Sequence, residues 1–316
     1  MSASHPAAVA FLYPGQGSQY PGMGKAVYEV SAEAREVFEQ ADGALPFSIA
    51  DLCFHADEAT LRRTEITQPA ILAVSVALDR VLESRGLRPG WVAGHSLGEY
   101  SALVAAGSLD VATATRLVHD RGRYMQEAVP EGSGAMAAVI GLEVGVVEEL
   151  CAAQRGDKVL EIANLNAPGQ VVVAGHREAV EALAGAAGEA GARRVIMLNV
   201  SAPFHCRLMQ PAADRLIPQL RAVEFADPAF PVVCNVDARP VADGAAARDA
   251  LERQVTRPVR WTETLEYLAA QGVGVFVEVG PGTVLSGLVK RTLGRGVDTY
   301  SVDEVERIDA VVASLS

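Results

Sequence analysis

Gly94-His95-Ser96-Leu97-Gly98 sets one serine between glycines, after the apolar Trp91-Val92-Ala93 and before a helix-like run from Glu99 to Ala106. A strand, a sharp turn and a helix in that order lift a hydroxyl onto an exposed elbow. There it can attack an acyl carbon and carry the acyl group as an ester. The start of the following helix favours negative charge beside the serine, and the backbone N–H of Leu97, one residue on, is placed as an oxyanion donor. Gly-x-Ser-x-Gly alone is a short pattern found by chance in many chains; its weight here comes from the strand before it and the helix after it.

A serine nucleophile needs a base, and six histidines are available: His5, His55, His95, His119, His176 and His205. His95 is too close in sequence to fold back onto Ser96. His5 stands in a terminal tail, His119 inside a helix pattern, and His55 and His176 in polar, loop-like surroundings. His205 follows an apolar strand and the turn Ser201-Ala202-Pro203-Phe204, and strand ends are where a sheet fold gathers its active-site residues. Arg121 stands out by periodicity. It shares a stripe with Ala114, Leu117, Val118 and Met125, whereas Arg116 and Arg123 share the opposite face with Asp120. A guanidinium on an apolar stripe is either the partner of a buried carboxylate or the receptor for a ligand carboxylate, and the pattern leaves both open.

The elements that must position these groups alternate between strand and helix. Ala7 to Tyr13 reads as a buried strand that stops at Pro14-Gly15. Helices are expected from Ala32 to Gln40, capped by Ser31 and stopped by Asp42-Gly43; from Pro69 to Glu83; and from Val111 to Glu127, capped by Asp110 and weakened locally by Gly122. Between Gly132 and Asn199 the order is strand, helix, strand, strand, helix, strand, the split arrangement of a ferredoxin-like unit. Beyond it, Phe230 to Val236 and Gly274 to Val279 read as strands, Ala245 to Val255 and Thr262 to Ala270 as helices, and a last helix from Val284 to Leu293 is expected to close the fold. The fold class expected is α/β: a larger α/β-hydrolase-like domain with a mostly parallel sheet (residues 1–130 and 200–316), carrying an inserted, smaller ferredoxin-like α+β domain (131–199).

With 316 residues, half of them apolar, the chain can bury a large core. A net charge of -12 argues against nucleic acid or an anionic membrane as the main partner, since both select basic surfaces. Cys53, Cys151, Cys206 and Cys234 lie far apart without paired spacing, so buried reduced thiols are expected rather than a disulfide framework or a zinc site. Met1 to Val9 has no basic segment followed by an apolar stretch, and the longest helix-like apolar run, Ala70 to Leu78, is too short to span a bilayer. The chain reads as a cytoplasmic protein and a monomer.

Pro14-Gly15-Gln16-Gly17-Ser18-Gln19, Gly94-His95-Ser96-Leu97-Gly98-Glu99-Tyr100, Arg121-Gly122, Asn166-Ala167-Pro168-Gly169-Gln170, Pro203-Phe204-His205, Gln254 and Glu278-Val279-Gly280-Pro281-Gly282 follow one another along nearly the whole chain. In this order they resemble the malonyl-CoA:acyl carrier protein transacylases of fatty-acid synthesis, with the acyltransferase domains of polyketide synthases as close kin. The resemblance implies that Ser96 attacks the thioester of malonyl-CoA with His205 as general base. The phosphopantetheine thiol of an acidic holo acyl carrier protein then attacks the malonyl-serine ester, a ping-pong exchange. It implies that Gln254, by side chain or backbone carbonyl, orients the histidine, that the N–H of Gln16 joins that of Leu97 in the oxyanion hole, and that Arg121 holds the free carboxylate of malonate. Phe204, before the base, accompanies malonyl selection in the polyketide branch. No metal or other cofactor is implied. The alternatives are a free-standing polyketide synthase acyltransferase, an acyl hydrolase acting on carrier-bound groups, and a silent carrier-binding module; the last is disfavoured because Ser96, His205, Arg121 and Gln254 are all present.

Overall fold

The apolar run Ala8–Tyr13 (β1) forms the middle strand of a five-stranded sheet with Trp91–Gly94 (β2), Val232–Val233 (β7), Val273–Val279 (β8) and Asp298–Val302 (β9), in the order β7-β2-β1-β8-β9. This is a computed structural model, and it describes residues 8–200 and 202–315; His5, Ala7 and Ser201 lie outside them. All four pairings in the sheet are parallel. A parallel sheet must be covered on both faces, and alternate residues of β1 do this. Phe11 and Tyr13 enter the core built around the helix Thr64–Ser84, while Ala10 and Leu12 pack with Trp261, Leu265, Leu285 and Leu288 of the helices Trp261–Ala270 and Val284–Leu293. Gly134–Ile140 (β3), Leu160–Ala167 (β4), Gln170–His176 (β5) and Arg194–Met197 (β6) form a second sheet, all antiparallel, in the order β4-β5-β3-β6. The helices Val144–Gln154 and Arg177–Glu189 cover one face of it through an apolar cluster of their own. The fold is thus α/β, with one parallel and one antiparallel sheet.

Several elements depart from the sequence reading. The first long helix runs over Ala32–Ala44, through Asp42-Gly43, because the Asp42 carboxylate accepts N–H bonds from Ile49 and Ala50 and so serves the start of the next helix, Ile49–His55, rather than a break. Thr64–Ser84 begins a turn before Pro69, which sits inside it. The run from Phe230 pairs only at Val232–Val233. Pro231 lacks an N–H, and Cys234 turns back to donate to the Arg239 carbonyl. Val284–Leu293 does not close the chain. A half-exposed edge strand, β9, and the helix Val305–Leu315 follow it.

Parallel register brings the ends of β1 and β2 together: Tyr13 pairs with Gly94, so the Pro14–Gln16 loop and the serine elbow leave the same edge of the sheet side by side. Glycine is required where they touch. A Cβ on Gly98 would lie 2.0 Å from the Tyr13 carbonyl oxygen, and one on Gly15 would lie 2.5 Å from that of His95.

Candidate active site

Ser96 sits at φ 53°, in the left-handed region that a non-glycine residue enters at a cost, between β2 and the helix Gly98–Ala105. Asn235, just past β7, secures this turn: its Oδ1 accepts the Ser96 N–H at 2.7 Å and its Nδ2 donates to the Gly94 carbonyl at 2.7 Å. Asn235 thus fixes the backbone of the turn that presents the serine hydroxyl.

His205, also at positive φ (59°), places Nε2 2.7 Å from Ser96 Oγ. Its Nδ1 lies 2.9 Å from the backbone carbonyl of Gln254. A carbonyl can only accept, so Nδ1 carries the proton and Nε2 is left as the acceptor for the serine hydroxyl. Burial, reinforced by the Arg121 charge, pulls the imidazole down to about 3 and keeps it neutral near pH 7. No carboxylate is hydrogen-bonded to His205 among the described residues.

Arg121 is buried, as the stripe on its helix predicts, and Arg123 on the other face pairs with Asp120 at 3.0 Å. Nη1 of Arg121 donates to Gln68 Oε1 at 2.8 Å; Nη2 donates to Gln254 Oε1 at 2.9 Å and to Ser96 Oγ at 3.1 Å. Its buried Nε–H has no acceptor among the described residues. Burial lowers the guanidinium from its ordinary value, yet no carboxylate is hydrogen-bonded to it among the described residues. Gln254 thus works at two points, its carbonyl toward His205 and its side chain toward Arg121.

Gln16, Ser96, Leu97, Arg121, Phe204 and His205 all line one cleft. The N–H groups of Gln16 and Leu97 donate to no protein acceptor among the described residues, whereas that of Ser96 is taken by Asn235. His95 is not near the base role: Nε2 is 2.8 Å from Asn166 Oδ1 and the ring meets Trp261 edge-on. Glu99, Asn235 and Gln68 carry no role in the sequence reading. Glu99 had a signal, a lone charge at the start of an otherwise apolar helix, and Asn235 had one as a polar residue at a strand end; Gln68, inside a long helix, had none.

A strained serine at a strand–helix elbow, a neutral histidine on it and a buried guanidinium beside it define a serine acyl transferase. A family model described as an acyl transferase domain matches residues 10–311. The malonyl CoA-acyl carrier protein transacylase of Escherichia coli K12 is 48% identical, covering 97% of this chain and 98% of that protein, and its Bacillus subtilis namesake is 43% identical over 97% of each. Among solved structures, the acyl carrier protein S-malonyltransferase of Vibrio cholerae superposes with a TM-score of 0.94 at 45% identity, covering 96% of this chain and 100% of that one. A malonyl-transacylase in complex with its type II polyketide carrier protein superposes at 0.95 with 44% identity, covering 98% and 100%. The chain belongs to the malonyl-CoA:acyl carrier protein transacylase family.

Proposed function

We propose that the chain transfers the malonyl group of malonyl-CoA to the phosphopantetheine thiol of holo acyl carrier protein in fatty-acid synthesis, through an ester on Ser96. The observation that carries this reading is Ser96 Oγ within hydrogen-bond reach of both His205 Nε2 and Arg121 Nη2 in one cleft. Ser96 Oγ gives its proton to His205 Nε2 as it attacks the thioester carbon, and the tetrahedral oxyanion is received by the N–H groups of Gln16 and Leu97. Collapse breaks the carbon–sulfur bond, and His205 returns the proton to the departing CoA sulfur. The carrier's thiol then runs the same steps in reverse, regenerating the serine hydroxyl. Arg121, which lines the cleft with Nη2 beside Ser96 Oγ, takes the carboxylate of malonate. An acetyl group has no carboxylate to offer the guanidinium and is a poor substrate. Exchange of a thioester through an ester is nearly balanced in energy, so the reading calls for no metal, nucleotide or other cofactor. A polyketide carrier as an alternative acceptor is favoured by the 44%-identical transacylase solved with one.

In this reading residues 131–199 are an inserted ferredoxin-like unit and residues 1–130 and 200–316 a larger α/β-hydrolase-like one, supported by the strand order β4-β5-β3-β6 and the separate apolar cluster beneath it. The protein acts as a cytoplasmic monomer on an acidic carrier; no helix among the described residues is long and apolar enough to cross a membrane. Arg121→Ala tests the assignment. Malonyl transfer should fall at least a hundredfold, on the order of 3 kcal/mol for removing one side of a buried charge pair, while acetyl transfer improves relative to it. An equal fall for both acyl groups would make Arg121 structural.

A further inference from the structure

Gln254 faces two charges with the two ends of one amide. Its Oε1 accepts from Arg121 Nη2 at 2.9 Å, and its Nε2 donates to Glu99 Oε2 at 2.8 Å. The same Glu99 oxygen accepts the Asn235 N–H at 3.0 Å, and the residue is 1% exposed. Glu99 is therefore the countercharge of Arg121, held one amide away. A direct pair would fill the fork that has to receive the substrate, and no countercharge at all would bury a lone cation in the empty site. The carboxylate and the Ser96 carbonyl, which Nε2 also reaches at 2.9 Å, together fix which way the amide points: both accept, so Nε2 turns to them and Oε1 is presented to the guanidinium.

We propose that Glu99 is a positioning residue for the substrate's acyl carboxylate: it aligns Gln254 and Arg121 in the empty site, and takes up a proton when that carboxylate replaces it as counter-ion. This rests on the malonyl reading of Arg121. The ionisable groups around Glu99 are Arg121 on the helix Val111–Glu127, Cys234 and Asp237 past β7, and its neighbour Tyr100. Asp237 is held low by Arg253, burial pushes the Cys234 thiol up to about 12 and the Tyr100 phenol higher, and Arg121 stays cationic. Burial raises Glu99 itself to about 7, leaving it as the member of this group that titrates near neutrality.

The test is calorimetric binding to the Ser96→Ala protein, which cannot turn over, at pH 7 in buffers of different ionisation heat. Malonyl-CoA should take up about half a proton more than acetyl-CoA, because a group near its midpoint is driven to the protonated form by a new anion. Adding Glu99→Gln should abolish the difference. Should that double variant not fold, the Ser96→Ala protein alone decides: the difference should vanish near pH 5, where Glu99 is already protonated in the free protein. Equal uptake for the two ligands at pH 7, a difference that survives Glu99→Gln, or one that persists near pH 5 overturns the proposal. Failure of malonyl-CoA to acylate the wild-type protein would instead overturn the malonyl reading and this inference with it, whereas acylation with equal uptake counts against Glu99 alone.

Discussion

His205 has its proton on Nδ1 because a backbone carbonyl faces that nitrogen, and it is neutral because it is buried beside a guanidinium. Two pH effects follow. The folded state binds fewer protons than the unfolded chain between about 3 and 6.5, so the stability contributed by this site is present above 6.5 and is lost as pH falls toward 3. In kinetics, His205 as the proposed base is expected not to titrate near its ordinary value. The acid limb of kcat/KM for malonyl-CoA is expected well below pH 6.5, and an acid limb that falls with a midpoint at 6.5 would contradict the neutral, buried base. Ser96 and Arg121 were legible in the sequence because each breaks a local rule, a serine between glycines and a cation on an apolar stripe; His205 stands out there as following a strand, but β6 ends at Met197 and the histidine lies on the turn beyond it. Asn235 and Gln68 break none. Their roles come from neighbours 139 and 53 residues away, and Gln254 is legible only through family resemblance.

Gly122 shows how an element's sequence can mislead when its neighbour is unseen. By propensity it weakens Val111–Glu127, and replacing it by alanine should gain about 1 kcal/mol. In the fold a Cβ there would lie 2.5 Å from the Thr64 carbonyl oxygen at the start of Thr64–Ser84, a backbone atom that cannot swing aside. Gly122→Ala is therefore expected to destabilise by up to about 2 kcal/mol net, since overpacking a tight contact costs about 1–3 kcal/mol against the gain of about 1 kcal/mol. A lower urea midpoint at unchanged slope is the expected result, and a higher midpoint would contradict the packing. The helices read best were those with a cap and a strong stripe, such as Val111–Glu127, where Asp110 accepts the Thr113 N–H at 2.8 Å. Gln210–Ala222 went unread because Pro211 and Pro218 look like breakers; Pro211 falls in the first turn, where no N–H is needed. β9 was missed because Asp-Thr-Tyr-Ser-Val on a half-exposed edge has no apolar run to read.

Across the whole molecule the cleft draws on distant parts of the chain. Gln16 leaves β1, Ser96 leaves β2, Arg121 comes from the helix Val111–Glu127, and His205, with Gln254 hydrogen-bonded to it, comes from the chain after the second sheet. The alternation of strand and helix made the α/β class legible, but the meeting of these five residues depends on strand order, which no local pattern encodes. The proposed function commits such a cleft to a covalent stage at one serine. Intact-mass measurement after brief exposure to malonyl-CoA tests that commitment most directly. The wild-type protein should gain the mass of one malonyl group and lose it on addition of holo acyl carrier protein, with the carrier gaining the same mass, while Ser96→Ala should gain nothing. An adduct that persists in Ser96→Ala, or transfer to the carrier without any adduct on the wild-type protein, would contradict it.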